Sequence, residues 1–556
     1  LVPELCKVYR GGRLQTDVTE IWQFEAGQNN YWRIKYRSGY EGEYAEGQLN
    51  VVKTCLDEET SKNTFAYLKQ VAAINPLRKE EDKEGILSQI YEKVDFIDDK
   101  TAAACYINPD KHKVRILSHK DLIYPFGCNA SQKKAVAAAF EHQVSVVQGP
   151  PGTGKTQTIL NVIANIVRNG ETVLVVSNNN SAITNVQEKL EKYGLAFIVA
   201  PLGSKEKKEL FISQQTVVPV EVSSWSCPMQ DGMRMKSTLH DTLRSLDKVY
   251  ALLNEDAMLR QEQQSVGLEW RHFCMDNGID EHTPLVRRVQ SSLIIRLWLH
   301  YQSKADGTLI APDGLWARIT EGLKSLWMRI ICRYRLRLHN KFEQADMKPL
   351  VIELQTLYYL NRRIEIEERL ETIRQELSTY DADLLTKTLT DTSMTLFKAS
   401  LHGRYAKKES VLFKDTKDMK AHGEDFLKRY PVVLSTTFSA RSCVFGDKPY
   451  DYIIMDEASQ VSIETGALAL TCANNAVIVG DTLQLPNVVT EEDRTKLTAI
   501  MEQYHIPDGY DCAKNSFLES VCTIIKNVPE TMLREHYRCH PRIINFCNQK
   551  FYGGNL

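Results

Sequence analysis

The stretch VSVVQGPPGTGKTQTILNVIANIVRNG (residues 144–170) decides the fold of this chain. A short apolar run at 144–148 precedes a glycine-rich loop, and a helical pattern then continues to Gly170, a residue type common at helix C-termini. Residues 149–156 match G-x-x-x-x-G-K-[ST], in the strand–loop–helix context that this phosphate-binding motif requires. The stretch therefore predicts a P-loop on an α/β fold with a parallel sheet.

The P-loop predicts how a nucleotide is held. Its glycines let backbone N–H groups face the phosphates, and the helix N-terminus adds a favourable dipole. We expect Lys155 to reach the β- and γ-phosphates and the Thr156 hydroxyl to hold Mg²⁺. The other residues predicted to bind the nucleotide here are Gly149, Gly152, Thr153, Gly154 and Gln157.

A second motif, YIIMDEAS (452–459), adds acidic groups. An apolar strand pattern ends in Asp456, a natural Mg²⁺ partner, and Glu457, which can polarise an attacking water. Alone, an Asp-Glu pair after a strand is most often a solvated turn. Behind a complete P-loop the catalytic interpretation is favoured, so the two motifs predict Mg²⁺-dependent hydrolysis of a nucleoside triphosphate.

Composition leaves the partner open. The chain has 556 residues with 69 basic and 71 acidic side chains, so a net charge of −2 neither supports nor excludes nucleic acid. Its 13 cysteines form no CxxC pair, and no secretory signal or membrane-length apolar run is present, which predicts a cytoplasmic protein without membrane contact. The chain begins with Leu1, so we expect a piece of a longer protein.

The hydrophobic pattern divides the chain into four segments. We expect residues 1–125 to form a mixed or β-rich accessory domain, with a β-barrel as one arrangement. Residues 126–204 and 430–556 share the strand–loop–helix rhythm of one P-loop domain, and 205–429 interrupt it with long amphipathic helices at near-heptad spacing. We expect these helices to form a coiled-coil hairpin that projects as a stalk.

Smaller features carry alternatives. The predicted hairpin at 31–52 has Tyr, Trp, Arg and Lys side chains that suit nucleic acid, although a partly buried hairpin is at least as good an interpretation. Residues 103–107 and 113–118 are predicted as strands. The basic stretch at 323–342 fits a nucleic-acid or membrane surface, but a stalk-tip helix with a solvated face is favoured.

Seven motifs occur in one order along the chain. They are NASQKKAV (129–136), GPPGTGKTQT (149–158), SNNNSAITNV (177–186), VVLSTTFSA (432–440), DEASQ (456–460), GDTLQLPNVV (480–489) and LREHYRCHP (533–541). Together they resemble the motif series of superfamily 1 helicases, in the branch that includes senataxin and the nonsense-mediated decay helicase. The resemblance implies a first RecA-like motor domain that uses ATP and Mg²⁺.

The resemblance also implies roles for individual residues. Gln132 would read the adenine, because a carboxamide can both donate and accept hydrogen bonds. Gln484 would sense the γ-phosphate, with Asp481 in the same network. Arg538 would contact the γ-phosphate and Tyr537 would stack near the base, although the family usually carries Gln and Met where this chain has His536 and Cys539.

A nucleic-acid partner is implied in the same way. Ser177, Asn178, Thr436 and Thr437 match small polar residues that contact the backbone of single-stranded DNA or RNA in the family. The implied activity is an ATP-dependent helicase or translocase, moving 5′→3′. We expect the second RecA-like domain to lie in cis beyond residue 556, so this chain alone should bind nucleotide, hydrolyse it poorly and not unwind.

Three alternatives accompany this prediction. A P-loop switch could act on a protein partner through the helical stalk, and a nuclease could be fused beyond the chain. The third alternative is a zinc cluster at His536, Cys539, His540 and Cys547, but no CxxC pair completes a tetrahedral set there.

Overall fold

The computed structural model of the chain describes residues 1–11, 13–26, 29–45, 47–74, 85–117, 121–306, 315–336, 338, 347–406, 411–446, 448–486, 488–538 and 540–554. The chain separates into two compact units, one of residues 1–242 with 386–556 and one of residues 243–385. The limits predicted for the accessory domain, the motor segments and the stalk stay predictions.

The strands are β1 (Cys6–Arg10), β2 (Arg13–Gln15), β3 (Val18–Ala26), β4 (Asn29–Tyr36), β5 (Glu41–Ala45), β6 (Leu49–Lys53), β7 (Val144–Gln148), β8 (Val173–Ser177), β9 (Val199–Pro201), β10 (Val432–Thr436), β11 (Tyr450–Asp456), β12 (Ala473–Gly480) and β13 (Glu530–Met532).

The helices are α1 (Glu59–Ile74), α2 (Ile86–Glu92), α3 (Ala102–Ile107), α4 (Ala130–Glu141), α5 (Lys155–Arg168), α6 (Asn180–Lys192), α7 (Lys205–Ser213), α8 (Met229–Asn277), α9 (Ser291–Ala305), α10 (Leu315–Ile330), α11 (Lys348–Ser378), α12 (Ala382–Tyr405), α13 (Thr416–Ala421), α14 (Gly423–Arg429), α15 (Ile463–Leu470), α16 (Glu491–Tyr504), α17 (Phe517–Ile524) and α18 (Pro541–Phe551).

A parallel sheet of seven strands, in the order β13-β7-β12-β11-β8-β10-β9, forms the core of the first unit. Its middle strands are buried along their length, which explains why they appear in the sequence as unbroken apolar runs. Strands from both sides of the insertion interleave, because β8 lies between β11 and β10. The predicted α/β fold with a RecA-like P-loop sheet is confirmed.

The register aligns the carboxyl ends of these strands. Ser177 on β8 lies opposite both Thr436 on β10 and Asp456 on β11. Gln148 on β7 lies opposite both Gly480 on β12 and Met532 on β13. Because ligands bind at this edge of open α/β sheets, the loops that follow these six strands are brought to one place.

The N-terminal region contains two small antiparallel sheets, β2-β1-β6 and β3-β4-β5. The predicted hairpin is confirmed, and it turns at Gly39 with φ +83°. The strand prediction at 103–107 is wrong, because these residues belong to the helix α3, in which every residue is buried. A short apolar run buried on all sides has no periodicity that separates strand from helix. The prediction at 113–118 is also wrong for the described residues, where Ile116 makes only an isolated bridge.

Long helices dominate the second unit. Two bidentate ion pairs, Arg362 with Glu262 and Arg369 with Glu255, join α11 to α8. Seven residues forward on α11 correspond to seven residues back on α8, so the two helices run antiparallel, as the sequence predicts. A further apolar cluster, made by α9, α11 and the π-helical turn at Ile331–Arg335, includes the buried Leu354. Coiled-coil packing of the pair stays a prediction.

The basic stretch of this unit has an exposed apolar side. Leu323, Leu326, Trp327 and Ile330 are each about half exposed or more. Arg337 and residues 339–342 of the stretch lie outside the described residues. None of the helices in the described part of the chain combines the length and apolar character that a membrane crossing needs.

Candidate nucleotide-binding and hydrolysis site

The P-loop joins β7 to α5 through two glycines in the left-handed region, Gly152 with φ +94° and Gly154 with φ +87°. Glycine suits this position because of its backbone conformation, and a Cβ added to Gly154 would also collide with the side-chain amide of Gln132. The Thr153 hydroxyl donates to the Pro150 carbonyl at 2.8 Å and fixes the turn inside the loop.

Lys155 is the first residue of α5, and its side chain folds back under the loop. It is 8% exposed. Its Nζ donates to the Gly149 carbonyl at 3.1 Å and lies 3.5 Å from Oε1 of Glu457. A buried ammonium group needs such partners, because leaving it unpaired would be costly. Lys155 is therefore held where the P-loop and the acidic motif meet.

The two acidic residues differ in environment although they are adjacent in the chain. Asp456 ends β11, and its Oδ1 accepts a hydrogen bond from the Glu457 N–H at 2.9 Å. Burial, reinforced by the negative charge of Glu457 and opposed by Lys155, raises the pKa of Asp456 to about 6. Glu457 has φ +55°, unusual for a residue with a side chain, and its Oε2 is buried without a partner among the described residues.

These groups fit a divalent cation. Two carboxylates against one ammonium leave an excess of negative charge in a buried place, and the unpartnered Oε2 of Glu457 marks unsatisfied acceptor capacity. Magnesium prefers oxygen ligands of this kind, together with phosphate oxygens. Thr156 stands at the same end of α5, and its Oγ1 accepts from Nδ2 of Asn185 at 3.5 Å.

Gln132 lies against the P-loop rather than pointing into open space. It is 1% exposed, and its Oε1 accepts from the Asn129 N–H in a capping box that begins α4. Its Nε2 is within hydrogen-bonding distance of the Thr153 carbonyl (3.3 Å) and of Oε1 of Gln157 (3.2 Å). Gln157 in turn donates to the Phe126 carbonyl at 2.6 Å. Adenine recognition by Gln132 stays a prediction.

The segment after β13 lies over the P-loop. The Tyr537 N–H donates to the Gly152 carbonyl at 2.9 Å, and Nε2 of His536 donates to the Pro151 carbonyl at 2.9 Å. Nδ1 of His536 accepts from the Arg538 N–H at 3.3 Å, so the ring joins the P-loop to the segment that carries Arg538. The sequence presents His536 as a departure from the family pattern or as a member of a zinc cluster, whereas in the structure it contacts the P-loop.

The side chains of this segment face different ways. Tyr537 is 64% exposed, and its hydroxyl accepts from Asn129 and donates to Glu535. Arg538 is exposed. Cys539, which the zinc alternative requires, lies outside the described residues, and no group of three metal-ligating side chains occurs within them.

Behind the P-loop, Asp481 anchors a second network. It is fully buried, and its Oδ2 accepts from Nε2 of Gln484 at 3.0 Å and from the Tyr552 hydroxyl at 2.8 Å. Tyr552 follows α18, so the C-terminal end of the chain contacts the loop that carries Gln484. Sequence reasoning missed Tyr552, because a tyrosine after a helix carries no signal of this contact.

The four predicted nucleic-acid contacts lie together where β8 and β10 end. Oγ of Ser177 accepts from the Asn179 N–H at 3.2 Å, and the Thr437 hydroxyl donates to Oδ1 of Asn178. Oγ1 of Thr436 accepts from the Ser439 N–H at 3.3 Å. Ser177 and Thr437 are buried, so the surface offered to a ligand here comes from Asn178, Thr436 and the backbone around them. Contact with nucleic acid stays a prediction.

A parallel sheet with a P-loop at one strand end and an Asp-Glu pair at another defines a P-loop nucleotide-binding domain of RecA-like fold. Comparison with known families gives a more specific assignment. The family described as an AAA domain matches residues 127–269 and 308–492, more than half of the chain. The chain therefore belongs to this family, within the superfamily 1 helicases.

The chain is also similar to individual helicases. The chain is 23% identical over 499 residues to an uncharacterized ATP-dependent helicase of Mycoplasma genitalium. The aligned region covers 74% of this chain and 44% of that protein. It is 36% identical over 90 residues to the regulator of nonsense transcripts 1 of Caenorhabditis elegans (16% of this chain, 8% of that protein). It is 38% identical over 71 residues to the DNA polymerase alpha-associated DNA helicase A of Schizosaccharomyces pombe (13% and 11%). The chain spans less than half the length of these relatives.

Proposed function

We propose that this chain is the ATP-binding part of a cytoplasmic helicase or translocase that moves 5′→3′ along single-stranded DNA or RNA. The supporting observation is the meeting of Lys155, Asp456 and Glu457 beneath the P-loop, where the aligned strand ends bring two distant motifs into contact. In this proposal residues 126–204 and 430–556 form the first motor domain, 1–125 are an accessory domain and 205–429 are the helical insert.

Each site residue has a role in this proposal. The P-loop N–H groups and Lys155 bind the β- and γ-phosphates, while Thr156 and Asp456 hold Mg²⁺, which supplies positive charge to the phosphates when bound. Binding of the triphosphate gives Lys155 a phosphate partner in place of Glu457. The Glu457 carboxylate, whose Oε2 already lacks a partner, then accepts a proton from the attacking water.

Coupling to movement involves the outer residues. Gln484, fixed through Asp481, responds to the γ-phosphate and alters the strand-end loops that carry Asn178 and Thr436. Arg538 contacts the γ-phosphate, and Tyr537 with Gln132 contacts the base. A second RecA-like domain in cis closes the site, so hydrolysis by this chain alone is weak and unwinding requires the full-length protein.

A protein-directed switch is the second candidate. The observation that favours it is the compact second unit, which carries the exposed apolar residues Leu323, Leu326 and Trp327 far along the insert. In that case ATP turnover responds to a protein partner that binds the stalk, and it responds to neither DNA nor RNA.

Nucleotide titrations and ATP turnover, with and without single-stranded oligo(dT) or oligo(U), test the proposal. We expect Lys155→Ala to weaken Mg²⁺-ATP binding by at least about tenfold, since a phosphate loses its buried cation. We expect Glu457→Gln to keep binding and to lower turnover by about 10² or more. Lys192→Ala, an exposed lysine on α6, is the control. Equal turnover in the wild type and Glu457→Gln would contradict the assignment, and turnover in the full-length protein that neither oligonucleotide changes would favour the switch.

A further inference from the structure

The outward side of α10, together with the π-helical turn that follows it, carries a stripe of exposed apolar side chains. These residues recur every three or four positions and are 47% to 72% exposed: Leu323, Leu326, Trp327, Ile330 and Tyr334. Such spacing places them along one face of a helix. Contiguous exposed apolar surface is uncommon on a monomeric protein, and it indicates a surface for interaction.

The opposite side of the same segment anchors it in the core of the second unit. Met328, Ile331, Cys332 and Leu336 are buried and pack in the apolar cluster that includes α9 and α11. One apolar face is enough to hold a helix on the surface of a folded domain. The outward stripe therefore adds little to the stability of the unit, and another role has to explain it.

Basic side chains border the stripe. The cations of residues 323–336 are all exposed: Lys324, Arg329, Arg333 and Arg335. No acidic residue occurs in this stretch or in α9. From α9, Nζ of Lys304 donates to Oγ of Ser325 at 2.9 Å and so adds another cation next to α10. The charge around the stripe is thus positive and complements a negatively charged partner.

The composition of the stripe favours a lipid surface over nucleic acid. Leu323, Leu326 and Ile330 are aliphatic, so they gain from burial in hydrocarbon but offer no ring on which a base could stack. Trp327 and Tyr334 combine an apolar ring with a polar group, as residues at membrane interfaces do. An apolar helix face with Trp and Leu, bordered by Lys and Arg, is typical of helices that lie on membranes with anionic lipids.

We infer that residues 323–335, here named the α10 surface, bind the face of a membrane that contains anionic lipids. The apolar stripe enters between the head groups, while Arg333 and Arg335 contact the lipid phosphates. The helix lies along the membrane without crossing it, in agreement with the finding that no helix in the described part of the chain is suited to crossing. Such binding needs no membrane-length apolar run, the absence of which underlies the prediction of no membrane contact.

Sedimentation of this chain with lipid vesicles tests the inference. The vesicles contain phosphatidylcholine alone or phosphatidylcholine mixed with phosphatidylserine. Leu326→Gln removes an apolar contact, and its matched control is Leu268→Gln, at a similarly exposed position on α8. Arg333→Gln removes one cation, and Arg271→Gln, also exposed on α8, is its control. Glutamine is a good helix former, and circular dichroism shows whether each variant keeps its helical content.

We expect the wild type to bind the mixed vesicles more tightly than the phosphatidylcholine vesicles, and added salt to weaken this binding. Leu326→Gln should lower the affinity for mixed vesicles at least about threefold, because less apolar surface is buried in the membrane. Arg333→Gln should lower it about fivefold, because one cation near the anionic surface is lost. Both control variants should bind like the wild type.

Three results would overturn the inference: wild-type protein that sediments with neither kind of vesicle, equal sedimentation with both kinds, or Leu326→Gln that binds like the wild type. In the first case, weaker binding of oligo(dT) by Arg333→Gln would assign the α10 surface to nucleic acid, and unchanged binding would leave it to the protein-directed switch. The proposed ATP-dependent activity is tested separately, because the P-loop lies in the first unit and the α10 surface in the second.

Discussion

Asp456 is buried at the end of β11 with a pKa of about 6, and its neighbour Glu457 turns through a left-handed conformation to face Lys155. The same dipeptide thus provides one carboxylate that is costly to ionise and one that is already ion-paired. Sites of this kind are destabilising until a cation arrives, a common relation between catalytic groups and folding stability.

The raised pKa of Asp456 predicts a pH-dependent cost in the nucleotide-free chain. Because its pKa is raised from 3.8 to about 6, its contribution to folding is most favourable below pH 4 and is lost as the pH rises from 4 to 6. Above pH 6, we expect Asp456→Asn to have a free energy of unfolding up to about 3 kcal/mol higher than that of the wild type, and so to unfold at higher urea concentration. Below pH 4 the two proteins should unfold at the same urea concentration. Binding of Mg²⁺-ATP should be lost in the same variant.

The measurement is urea unfolding at several pH values without nucleotide. The transition to monitor is the one that ATP shifts to higher urea concentration in the wild type. Asp276→Asn, at an exposed position near the end of α8, is the control and should show neither effect. A variant that is less stable than the wild type at pH 7 would show that Asp456 supports the fold rather than straining it.

Some contacts of the candidate site could be predicted from the sequence, and others could not. The proximity of Lys155 and Glu457 could be predicted, because each belongs to a defined motif at the end of a predicted strand. Their catalytic roles stay predictions. The inward position of Gln132 and the contact of His536 with Pro151 could not be predicted, since both depend on which loops the sheet brings side by side. In the sequence, His536 only weakens the match to the family motif. In the structure, the same side chain contacts the P-loop.

At the scale of elements, α5 is bounded by two glycines with similar backbone angles and different surroundings. Gly154 precedes the helix with φ +87°, next to Gln132, and Gly170 follows it with φ +83°, with open space around it. Substitutions at the two glycines can therefore be compared. Both would strain the backbone, but only a substitution at Gly154 would also crowd the nucleotide loop.

We expect Gly154→Ala to weaken ATP binding by at least about tenfold, because its Cβ would displace Gln132 as well as strain the loop. Gly170→Ala should lower the free energy of unfolding by about 1 kcal/mol through strain alone and leave ATP affinity unchanged. Isothermal titration with ATP and urea unfolding of both variants check this. Equal loss of affinity in the two would show that helix stability, rather than the loop, controls binding.

The Asp481 network predicts a second pair of effects. Gln484→Ala in the full-length protein should leave nucleotide binding intact and abolish stimulation of ATP turnover by nucleic acid. Tyr552→Phe removes one donor to Asp481 and should reduce the same stimulation by a smaller factor. Turnover at saturating ATP, with and without oligonucleotide, measures both. Wild-type stimulation in Gln484→Ala would remove its proposed role.

Element types followed the sequence wherever periodicity was long or flanked by motifs, as in α5, α11 and the buried strands. The prediction of element type from periodicity was wrong for α3, where a short apolar run is buried on every side. The contact of Tyr552 with Asp481 could not be predicted either, because it arises from packing between elements distant in sequence.

At the scale of the whole molecule, the two compact units have separate cores. Leu354 is fully buried in the second unit, and Val433 is fully buried on β10 in the first. Each can therefore report on its own unit.

We expect Leu354→Ala to destabilise the second unit by about 3 kcal/mol, the usual cost of a cavity, while ATP affinity stays at the wild-type value. Val433→Ala should instead destabilise the first unit and lower the temperature at which ATP binding is lost. Thermal unfolding followed with and without ATP distinguishes the two transitions. A single transition that both variants shift equally would show that the units unfold together.

The interleaved sheet has a consequence for the order in which the chain folds. β8 ends at Ser177, but the strands on both sides of it, β10 and β11, are made only after residue 431. Such distant pairing is slow, because a long loop must close before any contact is gained. The antiparallel pairing of α8 with α11 brings Glu255 next to Arg369 and so shortens that loop. A second unit that forms early during synthesis would thus hold the two halves of the sheet within reach of each other.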